Sequence, residues 1–221
     1  MEGYIETERL KLIRLAETSE GSQHVQWFHE CWSDDDATAW SMHGKCHSLE
    51  ESRDWMIQHR TKWDNQFYAI LLKPQTQSPR ATPGDQASEP GELIGSISIR
   101  LSPSFPPVPS LSPRFPPNVS STTPLDFRFI GYAFFRRYWG NGYATEAGRA
   151  VVPKYAEWRK NTRKDGEISY LESQVDVPNP ASGRVMEKLG FEKVGLKETK
   201  EKVFLGGEWL EGSYWVYGLF V

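Results

Sequence analysis

The sequence predicts a single α/β domain built on one mixed sheet, and three observations predict it. Strand-like and helix-like segments follow in the order β-α-α-β-β-β-α-β-α-β-β, seven strands and four helices, a pattern that packs helices on a mixed sheet. The chain has 221 residues, 38% hydrophobic and 13% aromatic, which is enough for one core and excludes full disorder. A glycine-bearing turn joins an apolar strand to an amphipathic helix in the C-terminal part of the chain.

Residues 9–15 (Arg-Leu-Lys-Leu-Ile-Arg-Leu) alternate apolar and basic side chains, the period of a half-buried strand. Val25, Phe28 and Trp32 fall at helical spacing within residues 19–32. Ser48 reads as the cap of a second helix, because Glu51 stands where a capping box requires it, and Trp55, Met56, His59 and Trp63 follow. Residues 67–72 and 92–101 read as strands, and residues 127–135 as a strongly apolar one. The helix after the glycine turn spans about residues 143–158, with Ala144, Ala147, Val151, Tyr155 and Trp158 inward. Pro153 inside it removes a backbone donor and predicts a kink. Residues 167–177 form the next strand, Asn179-Pro180 opens a short helix that Gly190 ends, and Phe191–Val203 and Gly212–Val221 close the sheet. Two stretches, about 74–91 and 102–124, are rich in Pro and Ser and lack periodicity, so they read as loop insertions within a single domain of residues 1–221. The second repeats a Phe-Pro-Pro piece, which would suit a polyproline ligand.

A net charge of -3 and a pI near 6.0 argue against a nucleic-acid partner, which needs a concentrated basic face. Cys31 and Cys46 have no paired spacing, and His24, His29, His43 and His47 fit no ligand pattern, so neither a disulfide framework nor a metal site is expected. The N-terminus lacks a basic region followed by an apolar run, and no apolar stretch approaches the ~20 residues of a membrane span. The expectation is a cytoplasmic protein with no membrane contact.

The turn Arg137-Tyr138-Trp139-Gly140-Asn141-Gly142 carries the chemistry. Glycines let a ligand approach the backbone closely, and the helix start offers unpaired amides and the positive end of its dipole to phosphate. Arg137 adds a charge-assisted donor. On its own physics the turn suits a pyrophosphate, a plain tight connection, or half of a dinucleotide fingerprint. A P-loop is excluded, since no Gly-Lys-Ser/Thr follows.

Residues 130–147, Ile-Gly-Tyr-Ala-Phe-Phe-Arg-Arg-Tyr-Trp-Gly-Asn-Gly-Tyr-Ala-Thr-Glu-Ala, resemble the acetyl-CoA signature of the GNAT superfamily, (Gln/Arg)-x-x-Gly-x-(Gly/Ala), met here by Arg137, Gly140 and Gly142. The wording around Trp139 is similar to the branch of ribosomal-protein-alanine acetyltransferases. So are Asn179-Pro180-Ala181-Ser182 with Glu187-Lys188-Leu189-Gly190-Phe191, and the opening Ile5-Glu6-Thr7-Glu8-Arg9-Leu10. The resemblance implies a mostly antiparallel sheet with a V-shaped cleft between its fourth and fifth strands, and an acetyl-CoA-dependent N-acetyltransferase acting by direct attack in a ternary complex. It implies acetyl-CoA as cosubstrate, no metal, and contacts from Phe135, Arg137, Trp139, Gly140, Asn141, Gly142, Tyr143, Ala144 and Asn179.

In that branch the serine of Asn-x-x-Ser donates a proton to the leaving thiolate, which points to Ser182; Asn179 and Ser182 also suit plain helix capping. Ungapped alignment from Ser182 puts Glu201 at the branch's general base, although Glu201 lies in a charged run that suits a solvated strand. Asp126, Glu172 and Asp176 are further carboxylates for that role. Phe129 stands where ribosomal-type enzymes often carry a carboxylate that meets the acceptor, so the acceptor stays open between a small-molecule amine and a peptide or protein amine. A homodimer is compatible with everything above. The competing reading is a non-catalytic CoA-binding or protein-interaction module of the same fold.

Overall fold

A computed structural model describes residues 1–74, 91–102 and 124–221, so nearly all of both proline-rich insertions lies outside the described residues. Eight strands form one sheet: β1 (Tyr4–Glu6), β2 (Leu10–Arg14), β3 (Gln66–Leu72), β4 (Glu92–Leu101), β5 (Leu125–Phe134), β6 (Ile168–Asp176), β7 (Glu192–Lys197) and β10 (Tyr214–Phe220). Their spatial order is β1-β2-β3-β4-β5-β6-β10-β7, and every pairing is antiparallel except β5 with β6. The expected single strand over 191–203 is two strands. After β7 the chain leaves the sheet to form a separate hairpin, β8 (Lys202–Leu205) with β9 (Glu208–Glu211), turned by Gly206 and Gly207 at positive φ. Strand β1 and the one-turn helix α2 (Asp35–Thr38) are too short to leave a periodic pattern.

Helices α1 (Gln23–Ser33) and α3 (Leu49–Thr61) cover one face, and α4 (Tyr143–Thr162) and α5 (Pro180–Lys188) the other. Strand β3 feeds both layers. Phe67, Ala69 and Leu71 pack against Val25, Phe28, Cys31 and Met56, while Tyr68 and Ile70 join the core with Ala147, Val151, Tyr155 and Met186. Period-two alternation within a strand buried on both faces produces this division.

The caps follow local chemistry. The Ser48 side chain accepts from the Glu51 amide (3.1 Å), and the Glu51 carboxylate accepts from the His47 amide (2.6 Å), one residue further back than a strict capping box. Helix α5 ends in a Schellman motif: Phe191 N–H donates to Met186 and Gly190 N–H to Glu187, both at 3.0 Å, with Gly190 at φ +86°. Helix α4 continues through Pro153, which sits on its exposed face, so the carbonyl it leaves unpaired at Arg149 is on the solvated side.

Candidate active site

Strands β5 and β6 run parallel from Leu125 opposite Ile168 to Phe129 opposite Glu172, and there the ladder stops. Beyond that point β5 stays with β4, and β6 stays with β10. The facing backbone edges of Ile130–Phe134 and Ser173–Asp176 are thus parted, giving the V-shaped cleft expected between the fourth and fifth strands, which are β5 and β6 because β1 was not foreseen. Alternation sorts the side chains around it. Ile130, Tyr132 and Phe134 face α4 and α5; Phe129 and Glu172 share the opposite face, where the Arg100 guanidinium stacks on the Phe129 ring at 5.1 Å.

The turn follows β5 directly. Arg136–Tyr138 make one 3₁₀ turn, Gly140 and Gly142 take φ +77° and +80°, and Gly142 caps α4. Among the described residues, the amides of Gly140, Asn141, Gly142, Tyr143, Ala144 and Thr145 donate to no acceptor, and the first helical bond is Glu146 N–H to Gly142 (3.0 Å). Six consecutive free donors at a helix start form an anion cradle. No neighbouring atom lies within 4 Å of where a Cβ on Gly140 would stand.

The side chains predicted to hold the donor divide into two groups. Trp139 is half exposed and donates Nε1–H to the Phe134 carbonyl (2.7 Å), so it folds back over the end of β5. Phe135 packs against the α1/α3 core, its amide bound to Ile94 (3.1 Å), and the Tyr143 ring is buried. Ala144 is half-buried behind the cradle. Arg137 is exposed and points to Glu92 (3.0 Å), stacking over Tyr138 (4.9 Å). The Asn141 side chain bonds the Trp139 carbonyl (3.0 Å), and its own carbonyl accepts from Arg9 (3.1 Å).

Asn179 caps α5, its Oδ1 accepting from the Ser182 amide at 3.3 Å. That leaves the Ser182 hydroxyl free for a second bond, which it makes with the Tyr132 hydroxyl across the cleft at 2.8 Å. Burial pushes the Tyr132 phenol up to about 12, with the Ser182 bond pulling the other way, so at neutral pH the pair holds both protons. Tyr132 was missed in the sequence. Its signal was a polar-tipped aromatic in register with Ile130 and Phe134.

The carboxylates separate clearly. Asp126 is consumed by a buried network: Arg128 Nε (3.0 Å), Arg159 Nε (2.9 Å) and the Tyr155 hydroxyl all meet its oxygens. Glu172 is buried at the apex of the cleft; burial raises its pKa, opposed by a Gln174 hydrogen bond (3.1 Å) and the Lys197 charge. Asp176, at the far end of β6, is raised by burial as well. Glu201 is exposed between β7 and β8, its backbone bonded to Thr199 and Gly212. On the Glu172 face, the hairpin reaches the segment after α2, where Gly206 donates to the Ala39 carbonyl (2.8 Å) and packs under the Trp40 ring.

His24 Nδ1 accepts from the Ala16 and Glu17 amides (3.2 and 3.1 Å) and His29 Nδ1 bonds the Ser52 hydroxyl (2.8 Å), while His43, His59 and the two cysteines serve packing. His43 stacks on Trp55 at 4.0 Å, Cys31 lies on the buried face of α1, and His59 lies among Trp32, Trp55 and Trp63. Among the described residues no three metal-ligating side chains are gathered, and no helix is long and apolar enough to cross a membrane.

Comparison with known proteins bears on the fold and the family. A solved GNAT acetyltransferase from Bacillus anthracis superposes with a TM-score of 0.56 at 22% identity, covering 98% of both chains. The ribosomal L7/L12 alpha-N-protein acetyltransferase RimL, in complex with coenzyme A, gives 0.59 at 18% identity over 99% of this chain and 98% of that one. An acetyltransferase from Salmonella typhimurium that modifies the N-terminal serine of L7/L12 gives 0.60 at 17% identity over 99% of each chain. These likenesses show the fold. The uncharacterized protein YkkB of Bacillus subtilis is 47% identical over 62 residues, a stretch covering 28% of this chain and 32% of that protein. The family model of the GNAT acetyltransferase domain matches residues 9–192, and the chain belongs to that family.

Proposed function

We propose that the protein transfers the acetyl group of acetyl-CoA to a primary amine by direct attack in a ternary complex. The observation that carries this reading is the run of six free amides, Gly140 to Thr145, at the open end of the cleft between β5 and β6. The cradle fits a pyrophosphate, and the parted strand edges offer the backbone groups that the amides of a pantetheine arm require. The backbone of Gly140, Asn141, Gly142, Tyr143 and Ala144 would hold the phosphates, with Phe135 and Trp139 beside the arm and Asn179 near the thioester. Arg137 joins them by exchanging its solvated Glu92 pair for phosphate oxygens.

Bound acetyl-CoA supplies the activated acyl group. Glu172, at the apex and raised by burial, takes the proton from the attacking amine as the C–N bond forms. As the C–S bond breaks, the thiolate takes the Ser182 hydroxyl proton and Tyr132 passes its own to Ser182 through their 2.8 Å bond; solvent returns a proton to the phenolate as CoA leaves, and Glu172 releases the amine's proton to solvent. Glu172 meets the requirements of a base better than Glu201, whose exposure leaves it solvated.

The acceptor is a small-molecule amine or a peptide or protein amine. Protein N-termini belong in the trial set because two structural neighbours act on ribosomal L7/L12. Calorimetric titration with acetyl-CoA, followed by mass-spectrometric detection of acetylated product over amines, amino acids, polyamines and peptides, tests both halves. Absence of binding at near-millimolar acetyl-CoA refutes the donor assignment. Binding without transfer to any acceptor favours the non-catalytic module.

A further inference from the structure

The Thr7–Arg9 opening folds back on the turn that the preceding reading assigns to acetyl-CoA. The Glu146 carboxylate, in the first turn of α4, accepts from the Thr7 hydroxyl (2.6 Å), the Arg9 amide (3.0 Å) and Arg9 Nε (2.6 Å). The guanidinium lies over the Tyr143 ring at 4.5 Å, and its Nη1 donates to the Asn141 carbonyl at 3.1 Å. One side chain thus grips the helix start, the ring beneath it and the peptide between the two glycines' flanks.

We propose that Arg9 is a positioning residue that fixes the Asn141–Gly142 peptide in its anion-binding orientation. In a trans peptide the C=O and the following N–H point in opposite directions, and the described chain contains no cis bond. Drawing the Asn141 carbonyl toward Arg9 therefore turns the Gly142 N–H to the other side, into the cradle. A glycine at φ +80° has little intrinsic preference against the flipped peptide. Flipped, the turn would offer phosphate a carbonyl oxygen in place of a donor. Arg9 has a second effect on the same ligand: it neutralises Glu146, a carboxylate one helical turn from where the phosphates would sit. Only a forked cation does both, because one nitrogen row serves Glu146 while another reaches Asn141.

The inference rests on the acetyl-CoA reading and is tested separately from it with Arg9→Met and Arg9→Lys. Arg9→Met should raise the Kd for CoA and the KM for acetyl-CoA about tenfold, as expected for a lost charge-assisted bond, with kcat at saturating acetyl-CoA within about twofold. Arg9→Lys should restore the melting temperature by keeping the Glu146 pair, yet leave the Kd weak, since a point charge cannot also hold the Asn141 carbonyl. An unchanged Kd in Arg9→Met overturns the proposal. So does Arg9→Lys restoring affinity and melting temperature together, which would make the role one of charge pairing alone. If the wild-type protein fails to bind CoA, the acetyl-CoA reading itself has failed.

Discussion

Replacing Gly142 with Ala adds one methyl to a residue held at φ +80° and ψ 3°, the left-handed region. The new Cβ would stand 3.7 Å from Arg9 Nη2, an ordinary contact, so sterics with neighbours contribute nothing. What remains is backbone strain, about 1–2 kcal/mol for an L side chain in this conformation. If the turn keeps its shape without ligand, the strain appears as lost stability, a fall in melting temperature of roughly 2–8 °C for a chain of this size. If the free turn relaxes, the same strain appears on binding, a Kd for CoA weakened about 5–30-fold. Scanning calorimetry and titration calorimetry on one preparation read the two shares, and their sum should equal the strain. Gly140→Ala, at φ +77° with nothing within 4 Å of its Cβ, is the matched control and should give a similar sum. Gly142→Glu adds a carboxylate beside the cradle and should abolish binding. Free tolerance of both alanines would refute the backbone argument, and wild-type affinity in Gly142→Glu would refute the anion site.

Ser182→Ala and Tyr132→Phe should each lower kcat about 10- to 100-fold at unchanged CoA affinity, and the double variant should be little worse than either single one, since the two hydroxyls form one relay; additive losses in a kinetic cycle would separate them. Glu172→Gln should lower kcat/KM about 10²- to 10³-fold and remove the acidic limb of the pH–rate profile. Because burial raises the Glu172 pKa, the native state binds its proton more tightly than the unfolded chain does. Wild-type stability therefore declines as pH rises from 4.5 through the raised folded value, and urea titrations of Glu172→Gln should lack that decline. His59 gives the opposite pH dependence. Burial depresses its folded value to about 3 from 6.5, so stability is full above pH 6.5 and falls as the pH drops. The loss reaches on the order of 3–5 kcal/mol near pH 3, and His59→Leu should flatten urea midpoints measured between pH 6.5 and 4.

The long elements were legible because each carries one clean period. Alternation marks β2, helical spacing marks α3, and Gly190 marks the end of α5 with its αL conformation. The hairpin β8–β9 was missed although Gly206-Gly207 between two short apolar runs is a turn signal; the charged run 197–202 before it and strands that bury only Leu205 masked it. The cradle was legible as a local motif, since Gly140, Gly142 and the helix start are neighbours in sequence. Contacts made across the fold were not. Nothing near Tyr132 announces Ser182, fifty residues on, and nothing near Arg9 announces Glu146, which lies 137 residues away. Among the candidate bases, Asp126 and Glu172 look alike as letters; only packing puts one among two arginines and leaves the other at the cleft apex.

The ladder that stops at Phe129 and Glu172 leaves the sheet with an interior edge. Edges of this kind ordinarily sit at the rim, where another strand can add to them. Here the edge is internal, and an extended ligand of the kind proposed above would complete the sheet as an added strand does. On that proposal the fold's cooperativity would be linked to CoA: stability should rise as RT ln(1 + [CoA]/Kd). Amides of Ile130–Phe134 that face the gap should exchange with solvent quickly in the free protein and slowly in the complex. If the proposed donor binds there, the protein's resistance to unfolding would follow the donor's concentration.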